Sequence, residues 1–170
     1  MLLVLDNFEH LLPDTTTGDV DVVDLILSLV EQTDHIDRRG EAASLGNLGV
    51  ILHQRGALAQ ARIFLDQPLT ILELFEDGSS VGRSLTYLGN LARDQEDWQA
   101  AEAYLTRACH TLHLVRDRHH EADARLALAR LYRHMGRGSS ASRCLERALN
   151  LYRQIENRAG EAEVLTLWGE

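Results

Sequence analysis

The side chains that could do chemistry in this chain are its histidines, cysteines, serines and arginines, and their spacing limits what they can do. Among the eight histidines, His110 and His113 stand three apart and His119 and His120 are adjacent. A zinc site needs three or four converging ligands. No cysteine or carboxylate column joins these histidines, so they read as solvated groups, as do His53 and His134. Cys109 and Cys144 fall in columns of apolar residues and read as small buried hydrophobes in a reducing compartment. Ser79-Ser80 and Ser139-Ser140 have no base or oxyanion donor at a usable spacing, and serine near a helix start reads as a cap. Phosphate-loop hydrolysis requires a glycine-rich loop ending in Gly-Lys-Ser or Gly-Lys-Thr, and the chain contains no lysine at all. No catalytic residue, metal ligand or cofactor is therefore expected. Arginine is the one strong cation left, and its planar fork suits carboxylates.

The elements that must position these groups are announced by a repeat. Leu48-Gly49, Leu88-Gly89 and Leu128-Ala129 recur 40 residues apart, followed in the same register by Ala61, Ala101 and Ala141. Leu45, Leu85 and Leu165 align, as do Leu65, Leu105 and Leu145. A fixed period of this length implies stacked supersecondary units. Within a unit, apolar and small residues recur at helical spacing in two runs, such as Leu85, Leu88, Leu91 and Ala92, then Ala101, Tyr104, Leu105, Ala108 and Leu112. Each unit is thus expected to be a helical hairpin, with helices at 41–54 and 58–75, 81–94 and 98–116, and 121–135 and 138–156. Gly49, Gly89 and Ala129 are expected at the helix crossing, faced by Ala61, Ala101 and Ala141, because close crossings admit no bulk. Pro68 is expected to kink its helix near Gln67. Trp98 opens a second helix where it suits packing between repeats.

Composition agrees with an all-α chain, since 45% of residues are apolar, only two are proline and 5% are aromatic. No run of roughly 18 apolar residues could span a membrane. Met1-Leu2-Leu3-Val4-Leu5 lacks the flanks of a secretion signal, so a cytoplasmic location is expected. The net charge of −9, with an acidic first half, argues against direct nucleic-acid binding.

These columns resemble the tetratricopeptide repeat family. The register reads Leu45, Leu48-Gly49, Leu52, Ala61, Leu65; then Leu85, Leu88-Gly89, Ala92, Ala101, Leu105, Ala108; then Arg125, Leu128-Ala129, Tyr132, Ala141, Leu145, Ala148. Pro68 and Arg125 depart from the pattern. The period of 40, longer than the usual 34 of the family, is similar to the variety in kinesin light chains and bacterial multidomain regulators. The resemblance implies an α-solenoid, a superhelix of antiparallel helix pairs, and a non-catalytic module that holds a protein or peptide against its inner wall. Carried over by register, that wall includes Asn47, Arg83, Tyr87, Asn90, Arg93, Arg130 and Arg133. Asn amides can serve both sides of a peptide backbone and Arg forks bind carboxylates at two points, so an acidic peptide is the expected partner, held in part by a basic stripe of four arginines.

Residues 18–170 are expected to form the repeat domain, with a partial repeat at 18–37, repeats at 41–77, 81–117 and 121–157, and a partial repeat at 160–170. Segment 1–17 has two readings. Leu2-Leu3-Val4-Leu5-Asp6 resembles the Walker B strand of bacterial regulatory ATPases of the STAND type, in which the Asp holds magnesium. Alternatively, Leu5, Phe8 and Leu12 continue the repeat register as a degenerate helix ended by Pro13. The expected role is a bacterial signalling or transcription-regulatory interaction module; the alternative is a fragment of a nucleotide-driven STAND switch. Leu165 and Trp168 fall in packing columns with no following helix, so either the natural protein continues past Glu170 or self-association covers them, and continuation is the favoured reading.

Overall fold

The computed structural model describes residues 38–74 and 77–169. The chain divides into two units, 1–37 and 38–170. The readings of segment 1–17, Asp6 included, and of partial repeat 18–37 lie outside the described residues. In the second unit seven helices follow one another: α1 (Arg38–Gln54), α2 (Leu58–Leu74), α3 (Gly78–Asp94), α4 (Trp98–Leu114), α5 (Arg118–His134), α6 (Gly138–Gln154) and α7 (Arg158–Gly169). No strand occurs among the described residues. α1 packs on α2, α3 on α4 and α5 on α6 as hairpins, and the odd-numbered helices α1, α3, α5 and α7 also touch in succession. The fold is an α-solenoid with one row of first helices and one row of second helices.

The helices start every 20 residues, so each 40-residue repeat is two turns of one finer device. Each of the first six helices has 17 residues, and a three-residue link closes α1, α3, α4, α5 and α6 in the same way. At the end of α3, Glu96 N–H donates to the Arg93 carbonyl at 2.9 Å and Asp97 N–H to the Ala92 carbonyl at 2.9 Å. This pairing satisfies carbonyls that the helix end would leave open. It places the middle link residue in the left-handed region, with φ of 79° at Gly56, 61° at Glu96, 59° at Arg116, 69° at Gly136 and 54° at Glu156.

The third link residue then caps the next helix. Asp77, Asp97 and Asp117 accept from the backbone N–H of Ser80, Ala100 and His120, and Asn157 accepts from Gly160 N–H at 3.0 Å. First helices accordingly begin about one turn earlier than their apolar columns suggested, at Arg38, Gly78 and Arg118. The serines are not the caps. Ser80 instead donates its hydroxyl to the capping Asp77 at 3.1 Å. Arg137 holds the capping position of α6 without a side-chain bond to the backbone, and its guanidinium pairs with Glu102 at 2.9 Å.

The core is built from the repeat columns. Leu65, Leu85, Leu105 and Leu131 are fully buried, as are Ala61, Ala101, Ala108 and Ala129. A Cβ on Gly89 would sit 2.5 Å from Leu105 Cγ, and one on Gly49 would sit 2.7 Å from Leu65 Cγ. The group pressing into each glycine is thus a leucine, one turn beyond the alanine expected there. Leu58–Leu74 forms one helix that continues through Pro68, whose ring is buried. Arg125, in the column of Leu45 and Leu85, is satisfied within its own helix: its Nε donates to Glu121 Oε1 at 2.8 Å, with both side chains largely buried.

Candidate functional site

The row of first helices carries two open pockets. The smaller, of about 230 Å³, lies between α3 and α5 and is lined by Arg83, Tyr87, Asn90, Asp123 and Arg130, together with Tyr152 of α6 and Glu163 of α7. The larger, of about 630 Å³, is lined by Arg93, Asp94, Arg130, Arg133, His134 and Leu167. Six of the seven residues singled out from the sequence line these pockets, and Arg130 belongs to both. Asn47, exposed on α1, lines neither.

Helical spacing explains the grouping. Arg83, Tyr87 and Asn90 fall four and three residues apart on one helix and so share a face. The 40-residue period then sets Asp123 beside Arg83 and Arg130 beside Asn90 on the neighbouring first helix. Glu163 continues the first of these columns, 40 residues past Asp123. It and Tyr152 were absent from the sequence expectation, although the column that contains Arg83 and Asp123 points directly to Glu163.

The electrostatics differ from a continuous basic stripe. Arg93 donates to Asp94 through Nε at 2.9 Å and Nη2 at 2.8 Å, and reaches Asn90 Oδ1 at 3.4 Å. Arg130 pairs with Glu163. Arg133 Nη1 donates to the Leu167 carbonyl at 2.6 Å. Arg83 makes no hydrogen bond or ion pair with a described residue, and its Nε is shut off from solvent with no acceptor. Three of the four wall arginines therefore have their charge engaged by protein acceptors, and the fourth does not.

The carboxylates of the face are engaged too. Burial alone would push the Asp94 carboxyl up, but hydrogen bonds from Arg93 and His53 outweigh it and hold the group below the usual carboxylate range. His53 Nε2 lies 2.8 Å from Asp94 Oδ2, so the two link consecutive repeats. Asp123 Oδ1 accepts from the Tyr152 hydroxyl at 2.6 Å. Burial and then that bond push the Tyr152 phenol up. His134, read from sequence as an ordinary surface group, stacks on Trp98 with ring centroids 6.0 Å apart, which joins the second and third hairpins.

The remaining candidates for chemistry stay apart. Cys109 and Cys144 are buried free thiols; burial pushes Cys109 up to about 12 and Cys144 upward, so neither presents a thiolate near neutral pH. Among the described residues no group of three His, Cys, Asp or Glu side chains could hold a metal. No described helix is long and apolar enough to cross a membrane.

The family model described as tetratricopeptide repeat matches residues 40–111 and again 80–154. No curated protein matches the chain. Among solved structures, the nearly identical TPR-like repeats assigned to a kinesin light chain of Podosopora anserina superimpose with a TM-score of 0.63 at 20% identity, over 76% of this chain. The chain spans 64% of the length of that structure. Family match, helix-pair architecture and the glycine and alanine columns agree, and the chain belongs to the tetratricopeptide repeat family.

Proposed function

We propose that this chain is a protein-interaction module that receives an extended, acidic peptide segment along its row of first helices. The observation that carries the reading is the pair of open pockets on that row, which bring Asn90, Tyr87 and four arginines to one face. Arginines already held by protein acceptors have less freedom left to lose on binding, and charge-assisted bonds from Arg to carboxylate are the strong ones. The net charge of −9 favours a protein partner over nucleic acid. The reading extends to a non-catalytic docking role in a cytoplasmic signalling or transcription-regulatory protein of a bacterium, supported by the exclusive use of arginine and by the regulator-like opening segment.

The test is selection from a random twelve-residue peptide library, followed by mapping of the selected peptides on the protein by amide chemical shifts. The expected outcome is enrichment of Asp and Glu, shifts centred on Tyr87, Asn90, Arg93 and Arg133, and affinity that falls as salt rises. Arg93→Glu with Arg133→Glu should weaken those peptides at least tenfold. Peptides that map to α2, α4 and α6, or affinity indifferent to both substitutions, would remove the reading.

A further inference from the structure

We propose that the open face of α7 pairs with α7 of a second copy of this chain, the two helices running antiparallel about a twofold axis. The repeat shows what such a face holds. In the second repeat the same columns of α3 carry Gly82, Leu85 and Gly89, and the antiparallel helix α4 lies across them. Leu112 fills the space where a Cβ on Gly82 would sit, and Leu105 presses on Gly89. In those columns α7 carries Ala162, Leu165 and Gly169. It is anchored on the preceding hairpin by the buried Val164 and by Gly160, which lies against Tyr152. Leu165 and Trp168 stay half-exposed where Leu85 and Leu88 are buried.

The stripe is self-complementary. Ala162, in the column of Gly82, is a recess, and Leu165, one helical turn on, is a knob; both are exposed. A twofold axis midway between them sets Leu165 of each copy against Ala162 of the other, which repeats the contact of a leucine on a small residue that α4 makes on α3. The same axis lays Trp168 over the exposed Ala159 of the second copy. The charges choose the direction. Arg158 is exposed at the start of α7, where the helix dipole disfavours a cation. Antiparallel pairing brings it to the carbonyl end of the other α7, whereas a parallel pair would set two arginines side by side. The carboxylates of α7 are already engaged, Glu161 by Arg153 and Glu163 by Arg130.

The size of the surface sets the strength of the pairing. α7 has 12 residues and is therefore about 18 Å long. One stripe of such a helix buries less than the roughly 1,200 Å² of a standard stable interface. The dimer is accordingly weak and reversible, with a dissociation constant of about 100 µM. Neither Leu165 nor Trp168 lines a pocket of the first-helix row, so the two surfaces act separately. Two copies joined at α7 present two such rows to one partner, which multiplies the affinity for a bivalent ligand.

The experiment is sedimentation equilibrium of the full chain from about 5 µM to about 1 mM, with isotope-filtered NOEs in an equimolar mixture of labelled and unlabelled chain at the upper concentration. The expected result is a passage from monomer to dimer that stops at two copies, with NOEs between the Leu165 methyls of one copy and the Ala162 methyl of the other. Leu165→Glu should raise the dissociation constant at least tenfold and leave the melting temperature of the dilute monomer unchanged. Ala162→Arg, which fills the recess at an exposed position of the helix, should do the same and serves where Leu165→Glu disturbs folding. A chain that stays monomeric at the upper concentration would overturn the proposal and give the face to a helix of another protein. Growth past the dimer, intermolecular NOEs that do not involve α7, or a dimer indifferent to both substitutions would overturn it too. Acidic peptides selected on the first-helix row should bind both variants as they bind the parent, so either reading can fail without the other.

Discussion

Arg125 stands in a column that carries leucine in the two preceding repeats, and its burial is tolerable only because Glu121, one helical turn earlier, accepts its guanidinium. The corresponding pair in the second repeat is Val81 and Leu85, both buried. One site in the fold therefore has an ionic solution and an apolar one. Removing one member of a buried pair strands the other charge, at a cost of about 3 kcal/mol, whereas replacing both by well-packed apolar groups is neutral or stabilising. Arg125→Leu alone should accordingly lower the unfolding free energy measured in urea by that amount, and Glu121→Val with Arg125→Leu should bring it back to the parent value or above. The sequence displayed Arg125 as a departure from the pattern but not its remedy. Glu121 stands in the first turn of its helix, and only the packing shows it nearly sealed from solvent.

The element that sets the architecture is the three-residue link. At Gly56, Glu96, Arg116, Gly136 and Glu156 it ends one helix in a left-handed residue, and at Asp77, Asp97, Asp117 and Asn157 a carboxylate or amide caps the next, so direction reverses every 20 residues. A non-glycine residue held at positive φ costs about 1–2 kcal/mol, part of which glycine gives back in unfolded-state entropy. Glu96→Gly should therefore stabilise the fold by about 0.5–1 kcal/mol in chemical denaturation. Asp97→Ala should lose about 1 kcal/mol, the ordinary value of a cap. Asp117→Ala should lose more, because Asp117 also accepts from the Ser79 hydroxyl and pairs with His120 at 2.7 Å. Burial alone would push the Asp117 carboxyl up, yet the bonds from Ser79 and His120 hold it below the usual range. Its contribution is then present above the unfolded carboxylate pKa and lost as acid takes the pH down through the depressed folded value. The Asp and Asn residues at 77, 97, 117 and 157 were visible at this spacing, but the apolar columns drew the predicted starts of the first helices one turn too late, while the second helices start where expected, at 58, 98 and 138.

Over the whole repeat domain, stability is a sum of hairpins and of the contacts between neighbours. Those contacts are apolar at the centre and ionic at the margins, where His53 meets Asp94, Arg137 meets Glu102 and Arg130 meets Glu163, each across consecutive repeats. α7 shows what half of such packing looks like. Val164 is buried, but Leu165 and Trp168 are 52% and 44% exposed, although the equivalent Leu85 and Leu88 are 0% and 1% exposed. Local opening follows contact density. Amide hydrogen exchange should therefore be at least tenfold faster in α7 than in α4, with the slowest amides around Leu105 and Leu112. Equal protection in both would contradict the additive picture.

The amino-acid sequence by itself determined the hairpins, their period and the columns that pack, because those follow from local rules: helical spacing of apolar residues, glycine where a neighbour presses in, and a fixed repeat. It also gathered the wall residues, since a 40-residue register places Asp123 beside Arg83 and Arg130 beside Asn90 without reference to coordinates. Only the tertiary structure decided which of those charges are spent. An ion pair such as Arg130 with Glu163 depends on the rise and rotation from one hairpin to the next and on side-chain reach, and neither is written in spacing along the chain. Four arginines that are equivalent as letters become three engaged groups and one open one, Arg83, when the helices are laid side by side.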